Sequence, residues 1–325
     1  MRKVLLFFDV PFSQSDGISS HCEALLCLLK NNSSIELAKA QSIERRYSMF
    51  LRRFYYPHFD KLCKYIKQDA SDVVHVHGLA SFCSMQVVIA SLIAKKKIVF
   101  SPHYHPFKTM SSPFLMKVYW TLMARFVISK VDCIVTINNE DTSFFKKVHK
   151  NVVMIPHWLS NEDADFDNNI KQKNMILFVG RNDSNKRLDM LYDLPHNIYE
   201  VHCVTAGNVL RKDFIVHSNV PVEELKQLYK RASLLVVPSK YEAFSLVALE
   251  ALWYNTPVVV SDRVRIIDHL DNCKSGYFVF AYGNKQEFYK MIEKSVGTQV
   301  DSKFVRNYFS EEKVRKQYVS VYSSM

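Results

Sequence analysis

Glycine is scarce in this chain, seven in 325 residues, so each one calls for a backbone reason. Gly17, Gly78, Gly180 and Gly207 all fall at or just beyond the end of a predicted strand, where tight turns are needed. No run approaches the ~20 apolar residues of a membrane-spanning helix. Val4 to Val10 is too short for a signal core and reads better as a first strand. The expected location is therefore the cytoplasm. The seven cysteines are odd in number and include no CxxC pair, which argues against a disulfide frame or a cysteine zinc site and for reduced thiols. There is no Walker loop, no nucleophile-elbow context at Ser239 or Ser245, no internal repeat and no low-complexity tract.

What is present is ordinary globular composition, 48% apolar, enough for two cores at this length. The formal charge of +11 is lopsided: residues 1–160 hold 21 Lys/Arg against 11 Asp/Glu, whereas 161–325 hold 22 against 21. Such asymmetry points to an anionic partner for the first half. An anionic membrane surface, a phosphate-bearing acceptor and nucleic acid all satisfy the charge. The basic residues form no nucleic-acid reader motif, so no nucleic-acid partner is expected.

Apolar runs alternate with helical patterns along the whole chain. Lys3 to Val10, Asp72 to Gly78, Lys97 to Pro102, Cys133 to Ile137 and Val152 to Ile155 read as strands of a first doubly wound α/β domain, residues 1–160. Residues 161–173 are polar, acidic and aperiodic, and read as a linker. A second such domain, 174–308, restarts with Met175 to Val179 followed by Gly180-Arg181. Ser310 to Val321 opens with a capping serine and acids and predicts a terminal helix within 309–325.

The stretch from Leu234 to Asp262 organises the rest. Leu234 to Val237 is a strand buried on both faces, a helical pattern through Phe244, Val247, Leu249 and Leu252 follows, and Val258 to Val260 is the next strand. Glu242 sits in the turn before this helix and Glu250 inside it, among apolar neighbours, so Glu250 is expected to face a crevice at the carboxyl ends of the strands. The backbone amides of Phe244, Ser245 and Leu246 are expected to open the helix toward an anion there. The plainer alternative is two solvated glutamates.

With Pro238-Ser239, Glu242, Phe244, Glu250-Ala251 and Thr256-Pro257 in place, the stretch resembles the donor signature of GT-B glycosyltransferases, and more narrowly that of the retaining family 4. The family has glycines where this chain has Ala243, Ser245 and Asn255. The resemblance implies an α/β GT-B fold of two Rossmann-like domains, with a C-terminal helix crossing back to the first. It implies a nucleotide-sugar-dependent hexosyl transfer that retains configuration and uses no metal or other cofactor. By the same resemblance Arg181 and Lys186 bind the diphosphate, Glu242 contacts the donor sugar and Glu250 the ribose hydroxyls. Gly17 belongs to a phosphate-facing turn, although Asp16 replaces the first of two usual glycines. His103 faces the sugar, with His105 as the other candidate.

Arg45, Arg46, Arg52 and Arg53 interleave with Tyr47, Phe50, Phe54 and Tyr55, a pattern that suits a lipid headgroup interface. The alternative is a solvated helix with a core-facing stripe. Met110 to Lys130 is a second apolar segment, read as a buried helix rather than a membrane contact. The expected acceptor is a lipid-linked or membrane-borne glycan, met as a peripheral protein on the inner face of the membrane. Two rivals remain: a nucleotide-sugar-binding protein without turnover, and a metal-dependent hydrolase using His75-Val76-His77 and His103-Tyr104-His105. No carboxylate ligand accompanies those histidines in the sequence, so no metal is expected.

Overall fold

In the computed structural model of the chain, the described residues are 1–8, 17–30, 32–40, 44, 46–48, 53–79, 82–103, 105, 117–160 and 171–325. They form two compact units, Met1–Pro156 with Glu311–Met325, and His157–Ser310.

In the first unit, β1 (Arg2–Phe8) is followed by α1 (Gly17–Leu29) and β2 (Ile35–Lys39). A short antiparallel hairpin, β3 (Arg46–Ser48) and β4 (Arg53–Tyr55), precedes α2 (Phe59–Gln68), β5 (Val73–His77), α3 (Phe82–Ile93) and β6 (Lys97–Ser101). A π-helical turn over Trp120–Ala124 runs into α4 (Arg125–Ile128), then come β7 (Cys133–Thr136), α5 (Asn139–Phe145) and β8 (Val152–Met154). Six strands pair in parallel in the order β2-β1-β5-β6-β7-β8.

The second unit contains β9 (Met175–Val179), β10 (Glu200–Val204), β11 (Ile215–His217), α6 (Val222–Arg231), β12 (Leu234–Val237), α7 (Leu246–Trp253), β13 (Val258–Ser261), β14 (Tyr277–Phe280), α8 (Lys285–Ser295) and α9 (Ser302–Tyr308). Its strands are also all parallel, in the order β11-β10-β9-β12-β13-β14. This is the α/β, doubly wound architecture expected of GT-B glycosyltransferases.

The strands read as apolar runs because both faces of each sheet are covered. Every residue of β5, β12 and β13 is buried, which leaves no solvent face for an alternating polar residue. Helices show their packing by spacing: in α2, Leu62 and Ile66 are fully buried one turn apart, as a one-sided helix requires. Asn138 starts α5 by accepting the Asp141 amide at 2.7 Å, and Asn284 starts α8 by accepting that of Glu287 at 3.1 Å, each satisfying an orphan donor.

The last helix, α10 (Glu311–Ser323), belongs to the first unit. It buries Val314, Tyr318, Val321 and Tyr322. Arg315 Nε donates to the carbonyl of Leu28 at 2.8 Å, and the Tyr322 hydroxyl meets His75 Nδ1 at 2.7 Å.

Three readings of the sequence need adjustment. The division of the chain falls after Pro156 and again after Ser310, not at 160 and 308. Residues 157–160 stay with the second unit because Leu159 bridges Ser310 and its amide donates to the Phe309 carbonyl at 3.1 Å. The basic aromatic stretch is not one helix, since the β3–β4 hairpin stands ahead of α2. Residues 161–170 of the expected linker lie outside the described residues.

The Tyr322 hydroxyl and Ser101 Oγ, at 2.9 Å, between them engage both ring nitrogens of His75 in a fully buried setting. Tyr322→Phe should therefore destabilise the first unit by about 1–3 kcal/mol, the cost of leaving a buried polar atom unpaired. Urea unfolding would measure it, and an unchanged midpoint would show that this bond does not hold α10 in place.

Candidate functional site

In each sheet the winding direction reverses once, between β1 and β5 and between β9 and β12, and such switch points open a crevice at the carboxyl ends of the strands. In the second unit the loops that follow β9 and β12 are tied to each other across that crevice. Asp183 Oδ1 accepts the amides of Asn185 at 3.0 Å and Lys186 at 2.9 Å, folding the loop after Gly180 into a tight Asx turn. Asn185 then reaches the other loop, donating to the Tyr241 carbonyl at 3.1 Å while its own carbonyl accepts the Lys240 amide at 2.7 Å. The Lys186 stem lies over Gly180, where a Cβ would come within 3.4 Å of it.

The consequence is an ion pair. Lys186 Nζ donates to Glu242 Oε1 at 2.8 Å, with the two side chains 21% and 11% exposed. Ser239 Oγ donates to the same oxygen at 2.6 Å, and its backbone is pinned by Ser261 Oγ on its carbonyl at 2.6 Å. The backbone of Glu242 is fixed in turn, its amide donating to the Arg263 carbonyl at 3.1 Å and its carbonyl accepting the Arg265 amide at 3.0 Å. A lysine ammonium has three donors, so one bond to Glu242 leaves capacity for an anion.

The helix that follows begins two residues later than the sequence pattern implies. Ser245 is the N-cap, its Oγ accepting the Ala248 amide at 3.4 Å, and Leu246 is the first residue of α7. Phe244 does not open the helix. Its ring is buried against His157 at 5.0 Å and His269 at 5.5 Å, because an apolar ring at the N′ side of a helix gains more by packing than by lining a polar crevice. The amides at the helix start are those of Leu246, Val247 and Ala248.

Glu250, half-buried on α7, accepts a hydrogen bond from the Tyr229 hydroxyl of α6 at 2.6 Å. Burial first, and the carboxylate beside it second, push that phenol well above its usual pKa, so it stays a donor. Arg181 is exposed and pairs with Asp183 at 3.1 Å, a contact of the kind worth little in water. Lys186 and Glu242 are thus brought into contact, while Arg181 and Glu250 have separate partners.

His103 lies in the first unit, half-buried, at φ 58°, with Nε2 2.8 Å from Nδ1 of His77. His105 is buried with its ring against Phe144 at 5.0 Å, so of the two it is His103 that retains exposure. Gly17 is the first residue of α1; the turn ahead of it, 9–16, lies outside the described residues, as do Arg45 and Arg52. Arg46, in β3, is exposed and paired with Glu44 at 3.0 Å, and Arg53 is placed by its backbone in β4.

The sequence comparison bears on the second unit. Residues 160–308 match the family model Glycosyl transferases group 1. Over that stretch the chain is similar to the group 1 glycosyltransferases. Among its relatives is the Campylobacter jejuni GalNAc-alpha-(1->4)-GalNAc-alpha-(1->3)-diNAcBac-PP-undecaprenol alpha-1,4-N-acetyl-D-galactosaminyltransferase, 24% identical over 217 residues, 60% of this chain and 57% of that one. Among solved structures, the lipopolysaccharide outer core galactosyltransferase WaaB in its apo form superposes with a TM-score of 0.74 at 15% identity, covering 99% and 100% of the two chains. Anabaena Alr3699/HepE in complex with UDP-glucose gives 0.68 at 15% identity over the full length of both. These likenesses establish the GT-B fold across both units.

Backbone conformation accounts for two of the three positions where glycines are missing. Ser245 has φ 124° and Asn255 φ 58°, a region that glycine occupies freely and side chains resist. Ala243 is not among the positive-φ residues. Asparagine tolerates the left-handed region, but serine at φ 124° stores strain of ~1–3 kcal/mol, against only a few tenths lost when a serine N-cap becomes glycine. Ser245→Gly should accordingly raise the melting temperature, read by calorimetry. A lowered one would mean that the cap outweighs the strain.

Proposed function

We propose that the chain is a retaining, metal-independent glycosyltransferase that moves a sugar from a nucleoside diphosphate sugar to a lipid-linked or membrane-borne glycan. The observation that carries the reading is the Lys186–Glu242 pair, held by Ser239 at the switch point between β9 and β12. As the anomeric C–O bond breaks, charge grows on the departing diphosphate. Lys186 and the amides at the start of α7 are the groups that would stabilise it, with the exposed Arg181 as a second cation. Glu242 would take donor-sugar hydroxyls and Glu250 the ribose diol, which suits the paired acceptors of a carboxylate. In the front-face displacement implied by the family resemblance, the departing phosphate takes the acceptor proton, so no separate base is needed. The UDP-glucose complex of HepE, and the undecaprenol-linked acceptor in the name of the Campylobacter relative, support a nucleotide-sugar donor and a lipid-linked acceptor here.

A survey of nucleotide sugars by thermal shift, followed by donor hydrolysis and transfer assays, tests this. Lys186→Ala should lower turnover by about two orders of magnitude and weaken nucleoside diphosphate binding. Glu242→Gln should lower turnover while leaving the nucleotide bound. Nucleotide affinity and turnover indifferent to both substitutions would overturn the assignment.

A feature of the first unit supports the membrane. The segment from Lys117 to Ile128 is not buried all round: Tyr119, Trp120, Ala124, Val127 and Ile128 face the core, whereas Val118, Leu122 (77% exposed) and Phe126 (68% exposed) recur every fourth residue outside it. Lys117, Arg125 and Lys130 are exposed around this stripe, Lys130 Nζ lying 5.4 Å from the Phe126 ring centre. Ile93, at the end of the adjoining α3, is exposed as well. An apolar stripe fringed by cations fits the interface of an anionic bilayer. Flotation with phosphatidylglycerol liposomes should retain the wild-type protein and lose most of a Leu122→Ser/Phe126→Ser double variant. Equal flotation of the two would remove this surface from the account.

A further inference from the structure

At the switch point of the first unit, between β1 and β5, the chain gathers histidines. His21 projects from α1, His77 ends β5 and His103 follows β6. Each offers a ring nitrogen, and the three nitrogens lie within 4.8 Å of one another. The closest approach is His77 Nδ1 to His103 Nε2, 2.8 Å. His21 stands with its ring centre 5.0 Å from that of His103 and 5.7 Å from that of His77.

Packing three imidazoles this way is costly unless something is gained. Burial pushes the pKa of His21 down to about 4, and the burial of each ring, with repulsion from neighbouring histidines second, holds His75 and His77 well below the usual range. His77 meets His103 through Nδ1, and its other ring nitrogen, Nε2, is buried without a hydrogen-bond partner. A cavity of about 20 Å3, room for a single water, is bordered by His21 and His103 together with Ser101, Asp141 and Tyr318. Outer contacts of the kind that orient metal ligands are also in place. The Tyr318 hydroxyl is 3.3 Å from His21 Nε2, and the ring of His75, held at both nitrogens, lies 4.0 Å from that of His77.

We propose that His21, His77 and His103 form a binding site for one imidazole-preferring divalent ion of the Zn2+ class, with a water in the adjoining cavity as a fourth ligand. Zn–N bonds of about 2.0–2.1 Å in tetrahedral array separate the nitrogens by about 3.3 Å, so binding needs the His77–His103 pair to open by roughly half an ångström. An all-nitrogen set favours Zn2+, Co2+ or Ni2+ over the oxygen-seeking Mg2+ and Ca2+. The site is not the one expected from the two HxH pairs. His21 replaces His105, and His75 supports the ligands from behind. Occupancy engages His103, so Zn2+ should inhibit glycosyl transfer. That consequence rests on the sugar-facing role that the family resemblance implies for His103, whereas the binding does not.

Tag-free, chelator-stripped full-length protein titrated with Co2+ tests the site, because tetrahedral coordination produces intense visible bands whatever the enzyme activity. One ion per chain is expected, displaced by Zn2+ and not by Mg2+. His21→Gln and His103→Gln should each weaken binding by about tenfold or more, a loss seen even for outer-contact substitutions. Circular dichroism would show that both variants fold. A His202→Gln/His217→Gln double variant, altering the other close imidazole pair at 2.9 Å, should bind as wild type. Absence of tetrahedral bands, binding unaffected by the His21 and His103 changes, or binding lost only in the double variant would overturn the proposal. Full binding without inhibition would uphold the site and instead contradict the sugar-facing role of His103.

Discussion

The second unit depends on a charge being held where a parallel sheet leaves space for it. Lys186 and Glu242 come from loops far apart in the chain, and each would pay a desolvation cost alone, since both are largely buried. Their contact at 2.8 Å, with Ser239 on the same carboxylate oxygen, makes the arrangement stable without filling the donor capacity of the ammonium. The Asp183 turn and the Asn185 clamp fix the loops before any ligand arrives. Preorganisation of this kind lets a cation act on developing charge without rearranging first.

Both units place chemistry at the same topological position. In the second sheet the switch between β9 and β12 carries the ion pair, and in the first the switch between β1 and β5 carries the imidazole cluster. The repeated geometry follows from parallel strands wound in two directions, which leave their carboxyl ends uncovered where the helices part. The side chains placed there differ in kind: acid and base in one unit, imidazoles in the other.

Strands such as VVHVH and LLVV could be read directly, because burial on both faces demands an apolar run and little else mimics it over so few residues. Glu242 and Lys186 were legible for the same reason, since each follows such a strand closely. The hairpin at 46–55 was not, because arginines interleaved with aromatics satisfy a one-sided helix equally well. Nor could the sequence show that Glu250 meets Tyr229, that Phe244 turns into a core, or that Leu159 pairs with Ser310. Those contacts depend on tertiary packing between segments with no local signature. Asp183 and Asn185 carry no signature beyond that of turn residues, Ser239 entered only as part of the donor signature, and His21 gives no sign of its neighbours, standing in a helix remote in sequence from β5 and β6. The strain at Ser245 was foreshadowed only by a resemblance, as a position where relatives carry glycine.

The central claim is that the cleft bounded by the post-β9 and post-β12 loops receives a nucleoside diphosphate. Its most direct test is the crystal structure of the protein with UDP or GDP bound. The account predicts phosphate oxygens within hydrogen-bond distance of Lys186 Nζ and of the first amides of α7, with the ribose on Glu250. A nucleotide bound elsewhere, with the Lys186–Glu242 pair undisturbed and no phosphate near it, would contradict it.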